Sequence, residues 1–299
     1  MIWLIAIIFS YFFFALASLG DKVVLSGSSE PKSYTFFVGI FSILAVLMIP
    51  FISFSIPQGL VWIWIILGAF FYVLGLYYFF DAIEKFDVSK ILPTVGAIQP
   101  IFIALVSFLF WGGEVMKGSE IIAFIILLIG SILISIEKNY KLTKASLKVS
   151  LLASLFFSLD VIFSKLVFVE ISFWEGFIWI KIVSFIFVLT LLFDKSFRKE
   201  IFKTERKISK KTSAIFLSAQ VFGGLATVLQ SWAIALVPIA YLAIMNAMKG
   251  IQYVFLFIMV ILVSFFFPKI LKENISKKVI IQRVIAIILI VIGFAVLVL

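Results

Sequence analysis

Long apolar runs, broken by short polar connections, set the pattern of this chain from end to end. Read between charges, the runs fall near 2–19, 34–53, 60–80, 88–111 and 119–136. A second set follows near 148–169, 174–193, 212–235, 239–267 and 277–299. A helix needs roughly 20 apolar residues to cross a hydrocarbon core about 30 Å thick, so each run predicts one crossing and the pattern predicts ten. No charged residue occurs from Thr212 to Met248, and one helix over that stretch would be roughly 55 Å long. Ala-Leu-Val-Pro at 235–238 supplies the break, since proline cannot donate into a helix interior and suits a first turn. The first run lacks a basic start and leads into Gly20-Asp21-Lys22 rather than a small-residue cleavage motif. It is expected to be a permanent helix and not a cleavable signal peptide.

Composition removes the soluble alternative. The chain is 64% hydrophobic and 13% charged with 37 Phe over 299 residues, and a water-soluble globule so built would expose most of its apolar surface. With no His and no Cys, it has no thiol nucleophile, disulfide, His-ligated metal or Ser-His-Asp triad. The longest polar stretch, 194–211, is too short for a separate soluble domain. The net charge of +10 sits in short loops between apolar runs, which is the habit of cytoplasmic loops and not of a nucleic-acid partner. The odd-numbered connections hold about 21 Lys and Arg and the even-numbered ones about one, Lys117, so the positive-inside rule puts both termini outside.

The two sets of five runs echo each other. Phe14 through Lys22 at the end of run 1 parallels Phe157 through Lys165 in run 6; Ala82 before Val88-Ser89 parallels Ala233 before Ile239-Ala240; Gly130 parallels Gly293. An odd number of spans per repeat forces the second half into the membrane with opposite polarity. The expected fold is therefore an all-α integral membrane protein of ten transmembrane helices, arranged as inverted five-helix repeats over 1–145 and 146–299. Folds of this kind place a binding site near the midplane between the halves and rock to expose it alternately.

Charged residues deep in a bilayer cost several kcal/mol and call for a reason. Lys249 lies mid-depth in run 9, with Asn246 and Tyr253 on the same helical face. It reads as a cationic anchor for a carboxylate or phosphate, or else as the internal partner of a carboxylate such as Asp160. Asp160 in run 6 is a coupling or ion-pair candidate, and Lys165 a residue that snorkels to the interface. Lys181 in run 7 either lines the cavity or pairs with Glu175. Gln230 and Trp232 in run 8, Gln99 in run 4 and Ser18 in run 1 are polar or amphipathic groups in apolar surroundings, fit to orient a substrate or to bond neighbouring helices. Tyr78, with Tyr77 and Tyr11, offers a stacking surface. Asp81, Glu84 and Asp87 read as a solvated turn, not a metal site. Gly68-Ala69, Gly75, Gly223-Gly224 with Ala226, and Ala240 through Ala247 offer surfaces for close helix approach. Pro93 and Pro100 leave carbonyls in run 4 without intrahelical partners, as a substrate contact, a hinge or a kink.

On these residues the chain resembles the drug/metabolite transporter superfamily, in its ten-helix EamA-like branch. The likeness rests on Lys22 after run 1, Pro93 and Pro100 in run 4, Gly113-Glu114 followed by Gly130 through run 5, and Met248-Lys249-Gly250-Ile251 in run 9. Such proteins move amino acids, sugars, nucleotide sugars, phosphorylated metabolites or drugs. In the nucleotide-sugar and triose-phosphate members a Lys in the ninth helix resembles Lys249. The family keeps both termini in the cytoplasm, the reverse of what the charge bias gives. The resemblance implies a multi-pass plasma (inner) membrane protein, partnered by membrane lipid and a small-molecule substrate, without cofactor or metal; a homodimer stays open. The function expected is alternating-access transport of a small polar, anionic or zwitterionic metabolite. A lipid-modifying membrane enzyme would need a catalytic cluster, for which only Asp81-Glu84-Asp87 offers itself; a channel or scaffold is the other alternative. No Gly-rich ATP-binding loop is present.

Overall fold

The computed structural model describes residues 2–25, 31–86, 88–112, 116, 118–135, 143–202, 210–266 and 277–298. The apolar runs become helices, and among the described residues there is no strand. Run 1 forms α1, Ile2–Leu25. Run 2 begins as α2, Pro31–Phe41, and passes directly into a 3-10 helix at Ser42–Phe51 that contains Pro50. Then come α3, Val61–Lys85, and α4, Val88–Trp111, which stays one helix although Pro93 and Pro100 lie inside it. Run 5 is α5, Ser119–Ser135.

The second half opens with α6, Lys144–Glu170, whose start is fixed by reciprocal bonding between Thr143 and Ser146. Capping of this kind satisfies two N–H groups that the first turn leaves free. It continues with α7, Phe173–Thr190, the short α8, Lys195–Phe202, in the basic connection, and α9, Lys210–Leu236. The expected proline break is present: Pro238 separates α9 from a single 3-10 turn at Ile239–Tyr241. Run 9 departs from the sequence reading. It is not one helix but two, α10 at Leu242–Ala247 and α11 at Gly250–Phe266, joined by a turn at Met248 and Lys249. The last helix is α12, Lys277–Val298.

Among the described residues, eight helical segments are long and apolar enough to cross a membrane, and two further apolar segments, Phe36–Phe51 and Ser119–Ser135, are shorter. Burial runs opposite to that of a water-soluble protein. Leu109 is 80% exposed and Phe193 85%, while Ser150, Ser154, Ser158 and Ser184 are fully buried. Lipid tails solvate the first kind of surface, and of the buried hydroxyls those of Ser154, Ser158 and Ser184 donate to helix backbones. Ser154 and Ser158 of α6 do this across a seam, donating to the carbonyls of Val95 (3.3 Å) and Gln99 (3.0 Å) of α4.

The most extensive pairings are α1 with α9, α3 with α6, and α5 with α12. The last is reciprocal. A Cβ built on Gly130 would lie 2.8 Å from Ile290 Cγ1, and one built on Gly293 would lie 2.8 Å from Leu127 Cγ. Each glycine thus receives the other helix's side chain, which brings the two backbones together. At α9 the expectation holds only in part: Gly223 faces Ala17, whereas Gly224 has nothing within 4 Å.

Candidate functional site

The turn between α10 and α11 is where backbone, charge and the α4 surface meet. In an unbroken helix the Lys249 N–H would reach Met245, that of Gly250 would reach Asn246, and that of Ile251 would reach Ala247. Here Lys249 donates instead to the Asn246 carbonyl (3.2 Å) and Ile251 to that of Met248 (2.9 Å). These tighter bonds leave three backbone groups without helical partners, and buried orphans of that kind cost roughly 1–3 kcal/mol each. Side-chain hydroxyls satisfy all three. Tyr11 of α1 donates to the Met245 carbonyl at 2.8 Å. Ser131 of α5 donates to the Ala247 carbonyl at 2.5 Å and accepts from the Gly250 N–H at 2.9 Å. Gly250 is required at this spot, because an added Cβ would lie 2.8 Å from Ser131 Cα and 2.8 Å from Ile290 Cδ1.

Lys249 projects from this turn against α4. A Cβ built on Gly96 would lie 3.7 Å from Lys249 Cδ, 3.9 Å from its Cε and 2.9 Å from the Tyr253 hydroxyl oxygen. The missing side chain at Gly96 thus makes room for the Tyr253 hydroxyl, with the lysine stem at ordinary contact distance. Tyr253, one turn into α11, donates to the Leu92 carbonyl at 3.3 Å. Gln252 reaches the other way and donates to Ser18 of α1 at 3.3 Å. Lys249 is partly buried, and among the described residues no carboxylate pairs with it. The group so held is a single positive charge among hydroxyls and apolar side chains.

A second set of charges lies on α6 and α7. Lys181 is buried, its Nζ 4.4 Å from the centre of the Tyr72 ring and 5.5 Å from that of Phe177. An ammonium over an aromatic face recovers part of the interaction it loses on leaving water. Asp160 accepts from Ser164 at 3.2 Å and interacts electrostatically with Lys181 and Tyr72 without a direct ion pair. Asp160 therefore belongs with Lys181, not with Lys249. Glu175 does not meet Lys181 either. It accepts from the backbone N–H (3.2 Å) and the hydroxyl of Ser55. Lys165 is 5% exposed, and its ammonium donates to the carbonyls of Ala235 (2.9 Å) and Val237 (2.7 Å) at the end of α9.

The remaining predicted residues scatter. Asn246 lies in α10, before the break, and turns its Nδ2 back to the Leu242 carbonyl at 2.9 Å. Gln99 is buried on α4, and its backbone carbonyl accepts from Ser158. Gln230 is half-buried on α9, and Trp232, 39% exposed, faces outward from the same helix. Tyr78 packs on Phe156 (centroids 5.4 Å apart) and Tyr77 stands edge-on to it. Tyr11 is a buried backbone donor and not a stacking surface. Asp81 pairs with Lys85 at 2.7 Å in the last turns of α3, with Lys85 exposed and Asp81 partly buried. The side chains of Lys22 and Glu84, all of Asp87, and Gly113-Glu114 lie outside the described residues. Sequence reasoning passed over Ser131, Gly96, Tyr72 and the break itself. Gly250 beside a lysine in an apolar run was the one available signal.

Comparison with known proteins adds the family. The model of the EamA-like transporter family matches residues 1–136, which accords with the resemblance read from the sequence and covers the first predicted half. No curated protein matches. In all, 27 chains of solved structures match. One of them, described as "Crystal structure of protein", has a TM-score of 0.69 over 98% of this chain and 94% of that one, at 14% sequence identity. At that identity the likeness shows a shared fold.

Proposed function

We propose that the chain is a secondary carrier of the plasma membrane that moves a small anionic or zwitterionic metabolite by alternating access, with Lys249 as the anchor for its negative group. Membrane transport itself accords with the family matched over residues 1–136. The observation that carries the finer reading is the ammonium of Lys249, held at a helix break beside Gly96 with no carboxylate partner among the described residues. A buried positive charge kept without a counter-ion is costly, and a substrate carboxylate or phosphate would supply the missing partner. A partner lipid and solute suffice for this chemistry, with no cofactor.

Ten crossings in two inverted halves, 1–145 and 146–299, are the architecture this reading requires. Exchanging the halves turns the α1–α9 pairing into α6–α3 and leaves α5–α12 unchanged, which agrees with the packing described. The short second segment also reaches far enough. A 3-10 helix rises about 2.0 Å per residue, so Ser42–Phe51 adds roughly 20 Å to the roughly 16 Å of α2.

Melting of the purified protein with added ligands tests the anchor. Carboxylates or phosphates that bind should raise the melting temperature, by about 2.7 kcal/mol of stability at one hundred times Kd. Neutral sugars of similar size should not. Lys249→Ala should abolish the anion response; an equal rise in that variant would refute the assignment.

A further inference from the structure

Among the described residues, Lys165 and Lys249 both sit beside helix ends, and only Lys165 is consumed by them. A lysine near a helix C-terminus ordinarily hydrogen-bonds the last free carbonyls. Lys165 does so across a seam, taking both Ala235 and Val237 at the end of α9. Lys249 stands two residues beyond the end of α10, yet none of the free carbonyls there binds it. The Met245 carbonyl is taken by Tyr11, the Ala247 carbonyl by Ser131, and the Asn246 and Met248 carbonyls by backbone N–H groups.

We propose that Tyr11 and Ser131 are positioning residues that keep Lys249 available to an anion by occupying the carbonyls that would otherwise capture it. This rests on the carrier reading of Lys249 and deepens it. The break becomes a site for a carboxylate or phosphate and not for a metal cation, because its carbonyl acceptors are already filled and its one outward charge is positive. Both hydroxyls come from helices of the first half, α1 and α5, while the turn belongs to the second. The first half thereby keeps the second half's anchor from being captured by its own helix end.

The test reads the lysine itself, without any substrate. The purified parent, Tyr11→Phe and Ser131→Ala are exposed to a limiting amount of sulfosuccinimidyl acetate, and acetylation is quantified by mass spectrometry at Lys249 and at Lys144, which is exposed at the start of α6. Each variant removes one hydroxyl and frees one carbonyl. Capture of the ammonium should then slow acetylation of Lys249 about fivefold, the scale set by one net hydrogen bond, with Lys144 unchanged. Unchanged or faster acetylation of Lys249, or a parallel change at Lys144, would overturn the proposal. The two variants break different bonds, so either decides the matter if the other fails to fold. Because no transport is measured, the result stands apart from whether Lys249→Ala still carries solute.

Discussion

Replacing Lys249 with Gln is expected to lower transport efficiency about a hundredfold in proteoliposomes, with the protein still folded. A hydrogen bond to a charged group contributes roughly 1.5–3 kcal/mol, and each 1.4 kcal/mol is about a factor of ten in binding. Gln retains most of the stem that lies against Gly96, so the change removes charge more than volume. Lys249→Arg separates charge from shape. The guanidinium keeps the charge but is planar and larger than the ammonium. About a tenfold loss is expected there, intermediate between parent and Gln. Initial uptake rates against substrate concentration give both numbers. Equal loss in Arg and Gln would show that shape, not charge, is what the site needs.

Adding one methyl at Gly250 should be the most damaging small substitution on α11. Its Cβ would meet Ser131 Cα and Ile290 Cδ1 at 2.8 Å each, and a backbone carbon cannot rotate aside. Overpacking of this kind costs roughly 1–3 kcal/mol, and the same methyl displaces the Ser131 hydroxyl from the break. Gly250→Ala should therefore melt well below the parent and transport poorly. Gly224→Ala is the control, since nothing lies within 4 Å of it and it sits inside α9. Ala there gains helix propensity of about 1 kcal/mol. A Gly250→Ala variant as stable as Gly224→Ala would show that the close approach of α5, α11 and α12 is not required.

Much of this architecture was legible because lipid imposes a simple rule on sequence. Each apolar run of sufficient length is a helix, and the unbroken stretch from Thr212 was divided correctly at Pro238 because proline removes a donor wherever it falls. The expectation of one crossing near 88–111 holds for α4. Pro93 and Pro100 remain inside one helix, with Tyr253, Ser154 and Ser158 donating to carbonyls around them. The apolar pattern did not show that run 2 turns to a 3-10 helix at Ser42, since both helix types are built from apolar residues and differ in hydrogen-bond spacing.

The site was legible by residue type but not by arrangement. A charged residue at mid-depth stands out in any apolar run, so Lys249, Lys181 and Asp160 were all singled out as candidates. Which charge meets which depends on helices far apart in sequence, and Asp160 proved to face Lys181 and Tyr72. The break at Met248–Lys249 was invisible for the same reason. Its two stabilising hydroxyls come from Tyr11 and Ser131, separated from it by 234 and 116 positions along the chain. No local pattern reports a bond of that span. Asn246 and Tyr253, placed on one face by helical periodicity, are parted by the turn.

Counterflow in proteoliposomes addresses the carrier itself. Vesicles holding an unlabelled anionic substrate, identified by its stabilisation of the protein, are diluted into a trace of the labelled form. A site that faces one side at a time should return loaded from each trip, so label should accumulate transiently above its outside concentration. The same vesicles bearing Lys249→Gln should show almost none of it. Label that only equilibrates, without overshoot and without saturation, would contradict alternating access and make the protein a passive pore.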